Sequence, residues 1–338
     1  MDEKGFREFL AERNLDEKTL QANIRMAQKF EDFLKRNSES RDANNATPQD
    51  IRSFIQLLLK NRENSQENII ALVRYSRFSK NREMEVSLLE DIYGSHYVLK
   101  NLSDALGRAA GEEKRNEVFE GIELPPLGTL PEDRPKVTKK VMERLETKLD
   151  ENTWKKALSS NLEGVPREEY IEDRKKFLKS RNIDEFLKNR HQEYVSMLDK
   201  HRREKTLYYT QEIDDQVLEY VRNTPTCQNG VREGDIIYVT KIPYMAKKYL
   251  NEKDPKMKRY YACHCPWVRE SIKSGNIKVS PNFCYCSAGY EKLPWDVIFD
   301  QPVKADVVDS VLKGGLACKF AIHIPNEFLK SSNATKKK

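Results

Sequence analysis

Asp235–Tyr244 reads DIIYVTKIPY, Val303–Leu312 reads VKADVVDSVL and Cys318–Ile324 reads CKFAIHI. In all three, apolar and β-branched residues alternate with polar ones, the period-two pattern of strands that bury one face. Lys258–Cys265, KRYYACHC, carries a similar aromatic alternation and reads as another strand. Pro266 and Pro281 open helical segments between the second and third strands, and Gly314-Gly315 offers a hairpin turn between the last two. The predicted order is strand, strand, helix, helix, strand, strand. That is an α+β domain with a mostly antiparallel sheet and packed helices.

Upstream, the period becomes helical. Charged amphipathic helices are predicted at roughly 137–160, 167–180 and 183–205, one face marked by Leu145, Leu149 and Trp154 and another by Phe177, Phe186, Leu187, Tyr194 and Leu198. Residues 122–136, IELPPLGTLPEDRPK, are proline-rich and read as an extended boundary. Residues 5–105 read as four or five short amphipathic helices. Thr47-Pro48-Gln49-Asp50 supplies an N-cap, a proline at the first helical position and an acid at the third, and Ser65 caps the next helix. The expected organisation is an all-α bundle over 1–105, a helix end and linker over 106–136, a helical segment over 137–205, a cysteine-bearing α/β domain over 206–328 and a frayed tail over 329–338.

Composition narrows the class. A chain of 338 residues with 38% hydrophobic and 34% charged side chains is globular rather than disordered, and long enough for two or three domains. No run approaches the 18 or so apolar residues of a membrane span, and the charged opening Met1-Asp2-Glu3-Lys4 leads straight into an amphipathic helix. A cytoplasmic location without a secretory signal is the expectation. Residues 1–110 hold equal numbers of basic and acidic side chains, so any nucleic-acid footprint must be local. Arg74, Arg77, Lys80 and Arg82, interleaved with Tyr75 and Phe78, are the candidate DNA contacts; a solvated helix face explains the run equally well. His96 reads as structural.

Five of the six cysteines fall between 263 and 318: Cys263, Cys265, Cys284, Cys286 and Cys318. In a cytosolic chain such clustering points to burial, metal ligation or reactivity rather than a disulfide framework. Cys263 and Cys265 would end a strand and face one side. Cys265, before Pro266, would sit at a helix N-terminus, where unpaired N–H groups favour a thiolate. Three readings compete: small buried hydrophobes, a zinc site drawing four ligands from these cysteines with His264 or His323, and a reactive thiol at Cys265 or Cys286. Trp267, Arg269, Tyr290 and Trp295 are candidate ligand-binding residues, the tryptophans as walls and Arg269 as partner of a ligand carboxylate.

Two stretches resemble known families. LDEKTLQANIRMAQKFEDFLK, ATPQDIRSFIQLLLK and SQENIIALVRYSRFSK, within the first hundred or so residues, resemble the SAM-like core-binding domain of tyrosine recombinases; the Arg, His-x-x-Arg and Tyr constellation of that family's catalytic domain is not found downstream. CHCPWVRES, SPNFCYCSAGYEKLPWDVIFDQPV and VDSVLKGGLACKFAIHIP look like the superfamily that joins 4-vinyl reductase-like domains with L-2-amino-thiazoline-4-carboxylate hydrolase-like proteins. That resemblance implies an apolar ligand pocket beside a cysteine-rich site that holds zinc in some relatives. Their ligands are a helix cysteine, an acid and a cysteine on the penultimate strand, and a cysteine opening the last strand. Cys284 or Cys286, Asp306 and Cys318 match three of these. Ser310 stands at the fourth, so Cys263 or Cys265 would substitute. The implied function is small-molecule or metal binding with hydrolase activity toward a small, sulfur-containing molecule. The alternative is a sensor whose N-terminal helices contact DNA or a protein partner, as a monomer or homo-oligomer.

Overall fold

The computed structural model describes residues 1–37, 40–93 and 97–330. His96 and the expected tail beyond residue 330 lie outside the described residues. Contacts divide the chain into two units: residues 1–96 with 124–134, and residues 97–123 with 135–338.

The first unit is helical, with α1 (Glu3–Ala11), α2 (Glu17–Asn37), α3 (Pro48–Lys60), α4 (Gln66–Phe78) and α5 (Arg82–Tyr93). The capping chemistry is as expected. Thr47 and Asp50 form a reciprocal capping box at α3, and the Ser65 side chain accepts from the Asn68 N–H at α4. Phe6, Phe30, Phe54 and Leu58 are fully enclosed in its core. The proline-rich segment is bound to this unit, since Gln56 and Asn64 donate to the carbonyls of Gly128 and Leu127.

The second unit begins with α6 (Val98–Ala110), α7 (Glu112–Phe119), α8 (Arg134–Lys148), α9 (Glu151–Leu158), α10 (Ile171–Lys179) and α11 (Ile183–Glu204). A two-stranded ribbon follows, β1 (Leu207–Tyr208) and β2 (Gln211–Glu212), then α12 (Asp215–Arg222), β3 (Val231–Glu233) and β4 (Ile236–Thr240). After α13 (Ala246–Asn251), α14 (Pro255–Ala262) and α15 (Arg269–Ser274) comes α16 (Tyr285–Ile298), entered through a 3₁₀ turn, Pro281–Cys284. β5 (Ala305–Asp309), β6 (Lys319–His323) and α17 (Asn326–Lys330) complete the chain. The main sheet is antiparallel throughout, in the order β3-β4-β6-β5. The α+β expectation holds at this level.

Alternation decides which face of the sheet is covered. Ile237, Val239, Phe320, Ile322, Ala305 and Val307 are buried in one core with α16 and the helices before β1. Trp295 of α16 stacks on Phe299 and meets Phe186 of α11 edge-on, while Phe177 of α10 meets both Phe186 and Phe299 edge-on. Burying each such ring contributes about 2–3 kcal/mol. The α16 helix also touches the loop after α9 without a side chain between them. A Cβ on Gly289 would stand 2.6 Å from the Ser160 carbonyl oxygen and 2.7 Å from that of Ser159.

Two strand expectations are corrected. KRYYACHC is not a strand: its first five residues form the end of α14, and Cys263 caps it. Asp254 accepts from the Lys256 N–H, and Pro255 takes the first helical position; this start signal lies just upstream of the stretch and outweighs the β preference of its tyrosines. Gly314-Gly315 is not a tight hairpin turn either. β5 and β6 do pair, but Ser310–Cys318 links them, with the Lys313 and Gly315 N–H groups both bonded to the Ser310 carbonyl. The second strand of the sheet is instead β3, joined to β4 through Gly234-Asp235, with Gly234 at φ +65°.

Candidate functional site

The five clustered thiols share one core: Cys263, Cys286 and Cys318 are buried in it, and Cys265 and Cys284 pack against it. Three structural joints bring them together: the exit from α14 (Cys263, Cys265), the entry to α16 (Cys284, Cys286) and the residue before β6 (Cys318). Ser280 accepts from the Asn282 N–H and starts the turn that presents Cys284 and Cys286, as expected. Ser310 is fully buried and hydrogen-bonded to the Cys284 thiol.

Their electrostatics differ from the sequence expectation. Cys263 and Cys265 leave a helix rather than a strand; the Trp267 N–H, in the turn that enters α15, does meet the Cys265 thiol, but burial outweighs it. Burial raises every one of these thiols above its ordinary range, Cys265 well above it. They are neutral S–H groups at physiological pH, the opposite of an activated thiolate. For zinc, no three His, Cys, Asp or Glu side chains gather at ligand spacing among the described residues. Asp306 is engaged by His323 and by Lys304, each at 2.8 Å, and His264 donates from Nε2 to the Ile242 carbonyl at 2.5 Å.

Of the candidate ligand-binding residues, the structure brings Tyr290 to the site and seats the others differently. Trp267 is buried, its carbonyl accepting from the Thr138 hydroxyl at 3.0 Å. Trp295 is enclosed by Phe186, Phe299 and the Arg190 guanidinium. Arg269 is buried with its guanidinium over the Tyr244 ring at 4.6 Å and near Tyr260 at 5.6 Å. These are core positions, not a carboxylate clamp and walls.

Beside the thiols lies a group that the sequence reading passed over. Lys241 follows β4 directly, and its N–H donates to the Cys318 carbonyl at 3.0 Å, which pins it to the start of β6. Its ammonium points inward, with only 8% of the side chain exposed. Nζ stands 3.5 Å from Glu291 Oε1, 3.5 Å from Ser287 Oγ and 4.8 Å from the centre of the Tyr290 ring, all three partners on α16. Burial works against its charge, but Glu291 and Glu163 outweigh that and raise its pKa, while burial also raises the Glu291 carboxyl. Glu163, in the loop after α9, lies close to Lys241, Cys265 and Cys286. Its side chain is exposed, yet the protein packed around it lifts its carboxyl above the usual range. Burial also drives His264 down to about 3, so its ring is neutral at pH 7. One signal was available in the sequence: Lys241 is the single charged residue in the apolar run from Ile236 to Tyr244.

The basic run of the first unit is largely committed to its own fold. Arg74 donates to Asn23 at 3.0 Å, Arg77 pairs with Glu85 at 2.7 Å, Arg82 opens α5, and Lys80 is an exposed left-handed residue after α4. Arg13 and Arg77 lie near enough to Arg74 to lower its pKa, behind the larger effect of burial. Among the described residues no helix is long and apolar enough to cross a membrane. No family model, no curated protein and no solved structure matches this chain.

Proposed function

We propose that the second unit binds a small organic molecule beside Lys241, where Ser287 and Tyr290 of α16 and the exposed Glu163 lie near it, with Cys265 and Cys286 alongside. The observation that carries this reading is Lys241. A buried ammonium whose nearest oxygens are all 3.5 Å away has hydrogen bonds left to make, and interiors seldom leave them unmade. Partial exposure of Ser287, Tyr290 and Glu163 around it supports access from solvent. Hydrolysis of a thiazoline-type ring, the chemistry implied by the resemblance, would here draw its base from Glu163 acting on water, because neutral thiols are poor nucleophiles.

The test is titration of the protein with L-2-amino-thiazoline-4-carboxylate, followed by melting temperature and by product release. Saturable binding lost in Lys241→Met with turnover lost in Glu163→Gln supports a hydrolase; binding without turnover makes the unit a sensor. Absence of binding by this compound would remove the reading. For a sensor, the first unit supplies the output, and the crowding of Arg13, Arg74 and Arg77 supports contact with an anionic partner such as DNA.

A further inference from the structure

The excess positive charge of the chain is confined to one segment. Residues 246–278 hold nine basic and three acidic side chains, a net +6 that equals the net charge of all 338 residues. They include α13, α14 and α15, and α14 packs against both of the others. The three acids do not neutralise the segment. Asp254 caps α14 by accepting from the Lys256 N–H, Glu252 accepts from the N–H groups of Lys253 and Asp254, and Glu270 accepts from the Tyr260 hydroxyl at 2.7 Å. Lys247 pairs outside the segment with Asp214 at 3.5 Å, and Arg269 turns inward onto Tyr244 and Tyr260. Among the described residues, none of the other cations of the segment is paired with a carboxylate. Three of them rest on rings instead: Lys258 Nζ lies 5.0 Å from the centre of Tyr249, Lys273 Nζ 5.4 Å from Tyr260 and Lys248 Nζ 6.0 Å from Tyr261. A carboxylate would cancel each charge; an aromatic face holds an ammonium in place and leaves its charge uncancelled.

Like charges gathered on adjacent helices repel one another, and a polyanion offsets that repulsion. Three features choose among polyanions. No large apolar side chain of the segment is exposed, whereas helices that lie on a membrane set apolar side chains beside their cations to enter the lipid. Tyr249 and Tyr260 are buried and Tyr261 is half-buried under Lys248, so no ring is presented for unpaired bases to stack on. Three helices packed side by side span about 20 Å between their outer axes. Along that length one strand of a duplex carries roughly six phosphates, one per about 3.4 Å, which matches the excess charge of the segment. We propose that the surface formed by α13, α14 and α15 binds double-stranded nucleic acid through its phosphates, without reading its sequence. Lys253, Lys256 and Lys273, all exposed, are the leading contacts. This activity goes beyond small-molecule binding beside Lys241 and does not depend on it, and it is carried by the second unit rather than by Arg74 and Arg77 of the first.

The test follows the full chain by fluorescence anisotropy with a labelled DNA duplex of about 20 base pairs, with the RNA duplex of the same sequence and with the single DNA strand; co-sedimentation with vesicles containing phosphatidylserine runs beside it. One or both duplexes should bind at low salt, and the stronger of the two names the natural class. Affinity should fall about a hundredfold to a thousandfold between 50 and 200 mM salt, as counterion release from about four to six phosphates requires. Lys253→Ala/Lys256→Ala/Lys273→Ala should keep the wild-type melting temperature and make the slope of log affinity against log salt shallower by about three. Lys253→Arg/Lys256→Arg/Lys273→Arg, which keeps the charge, should keep the slope. Absence of duplex binding at 50 mM salt would overturn the proposal, as would tighter binding to the single strand or to the vesicles, or an unchanged slope in the alanine variant. A slope that changes only in Arg74→Ala/Arg77→Ala would assign the contact to the first unit and overturn the proposal too. None of these outcomes bears on binding of L-2-amino-thiazoline-4-carboxylate, so the two readings are tested separately.

Discussion

Gly289→Ala is a sharp probe of how the site is assembled. Glycine is a poor helix residue, so at an unconstrained position in α16 alanine should stabilise by about 1 kcal/mol. Here the added methyl would meet the Ser160 carbonyl oxygen at 2.6 Å and the Ser159 carbonyl carbon and oxygen at 2.7 Å. All three are backbone atoms and cannot rotate away. Overpacking of this kind costs about 1–3 kcal/mol, and contact with fixed atoms places it at the upper end. The net expectation is a loss of about 2 kcal/mol, which for a unit of this size lowers the melting temperature by roughly 4–8 °C. Gly107→Ala in α6 is the internal control. Its methyl would press only on the flexible Glu112 carboxylate and touch Arg115 Cδ at an ordinary 3.5 Å, so it should be neutral or stabilising by up to about 1 kcal/mol. Calorimetry of both variants, with binding of L-2-amino-thiazoline-4-carboxylate measured alongside, checks the reasoning. The loop that the new methyl pushes away leads to Glu163, while α16 carries Ser287, Tyr290 and Glu291, so affinity should fall with stability. A Gly289→Ala protein that melts at or above the wild type, with that affinity intact, would refute the idea that this backbone contact positions Glu163 against α16.

Other consequences can be measured independently. Lys241→Met alone leaves Glu291 buried without its cation and should destabilise by about 3–5 kcal/mol in denaturant titration, whereas the double variant Lys241→Met/Glu291→Leu should recover most of that loss. His264, held down to about 3 by burial, contributes stability above pH 6.5 that is lost as pH falls toward 3, because the unfolded chain takes up a proton the folded one refuses. The slope approaches about 1.4 kcal/mol per pH unit at most, and pH-dependent unfolding of His264→Gln should be flatter over that interval. Alkylation of the native protein at pH 7.5 should leave Cys263, Cys286 and Cys318 on the order of a hundredfold slower than in the unfolded chain, since they are buried and neutral; mass spectrometry after a timed pulse reads this directly.

What could be read from the sequence tracks the range of the forces involved. Thr47 with Asp50, Ser65 and Ser280 act within three residues, and each caps the turn expected of it. The period-two runs at 235–244, 303–312 and 318–324 mark β4, β5 and β6 because one buried face imposes that alternation locally. KRYYACHC misleads because its tyrosines favour a strand while the Asp254-Pro255 start that decides the matter lies upstream, and β3 is too short to show an alternation of its own before the Gly234-Asp235 loop. The meeting of Cys263, Cys265, Cys284, Cys286 and Cys318 is legible as clustering along the chain; their protonation is not. Burial by α16 and the sheet sets it, and no spacing rule encodes how much water is excluded. Lys241 is hidden for the same reason: a lysine after a strand is ordinarily solvated, and only packing reveals that this one points inward.

The amide of Lys241 is bonded to the carbonyl of Cys318, on the rung that continues the β4–β6 ladder. The ammonium therefore hangs from a strand that cannot yield without parting from its neighbour, and it loses little freedom when something docks against it. Much of the entropic penalty of association is met during folding, before any guest arrives. An amide held this way is also a reporter. Its hydrogen exchange should slow when a ligand docks beside Lys241, so occupancy is readable from the backbone by an observer who does not yet know the guest.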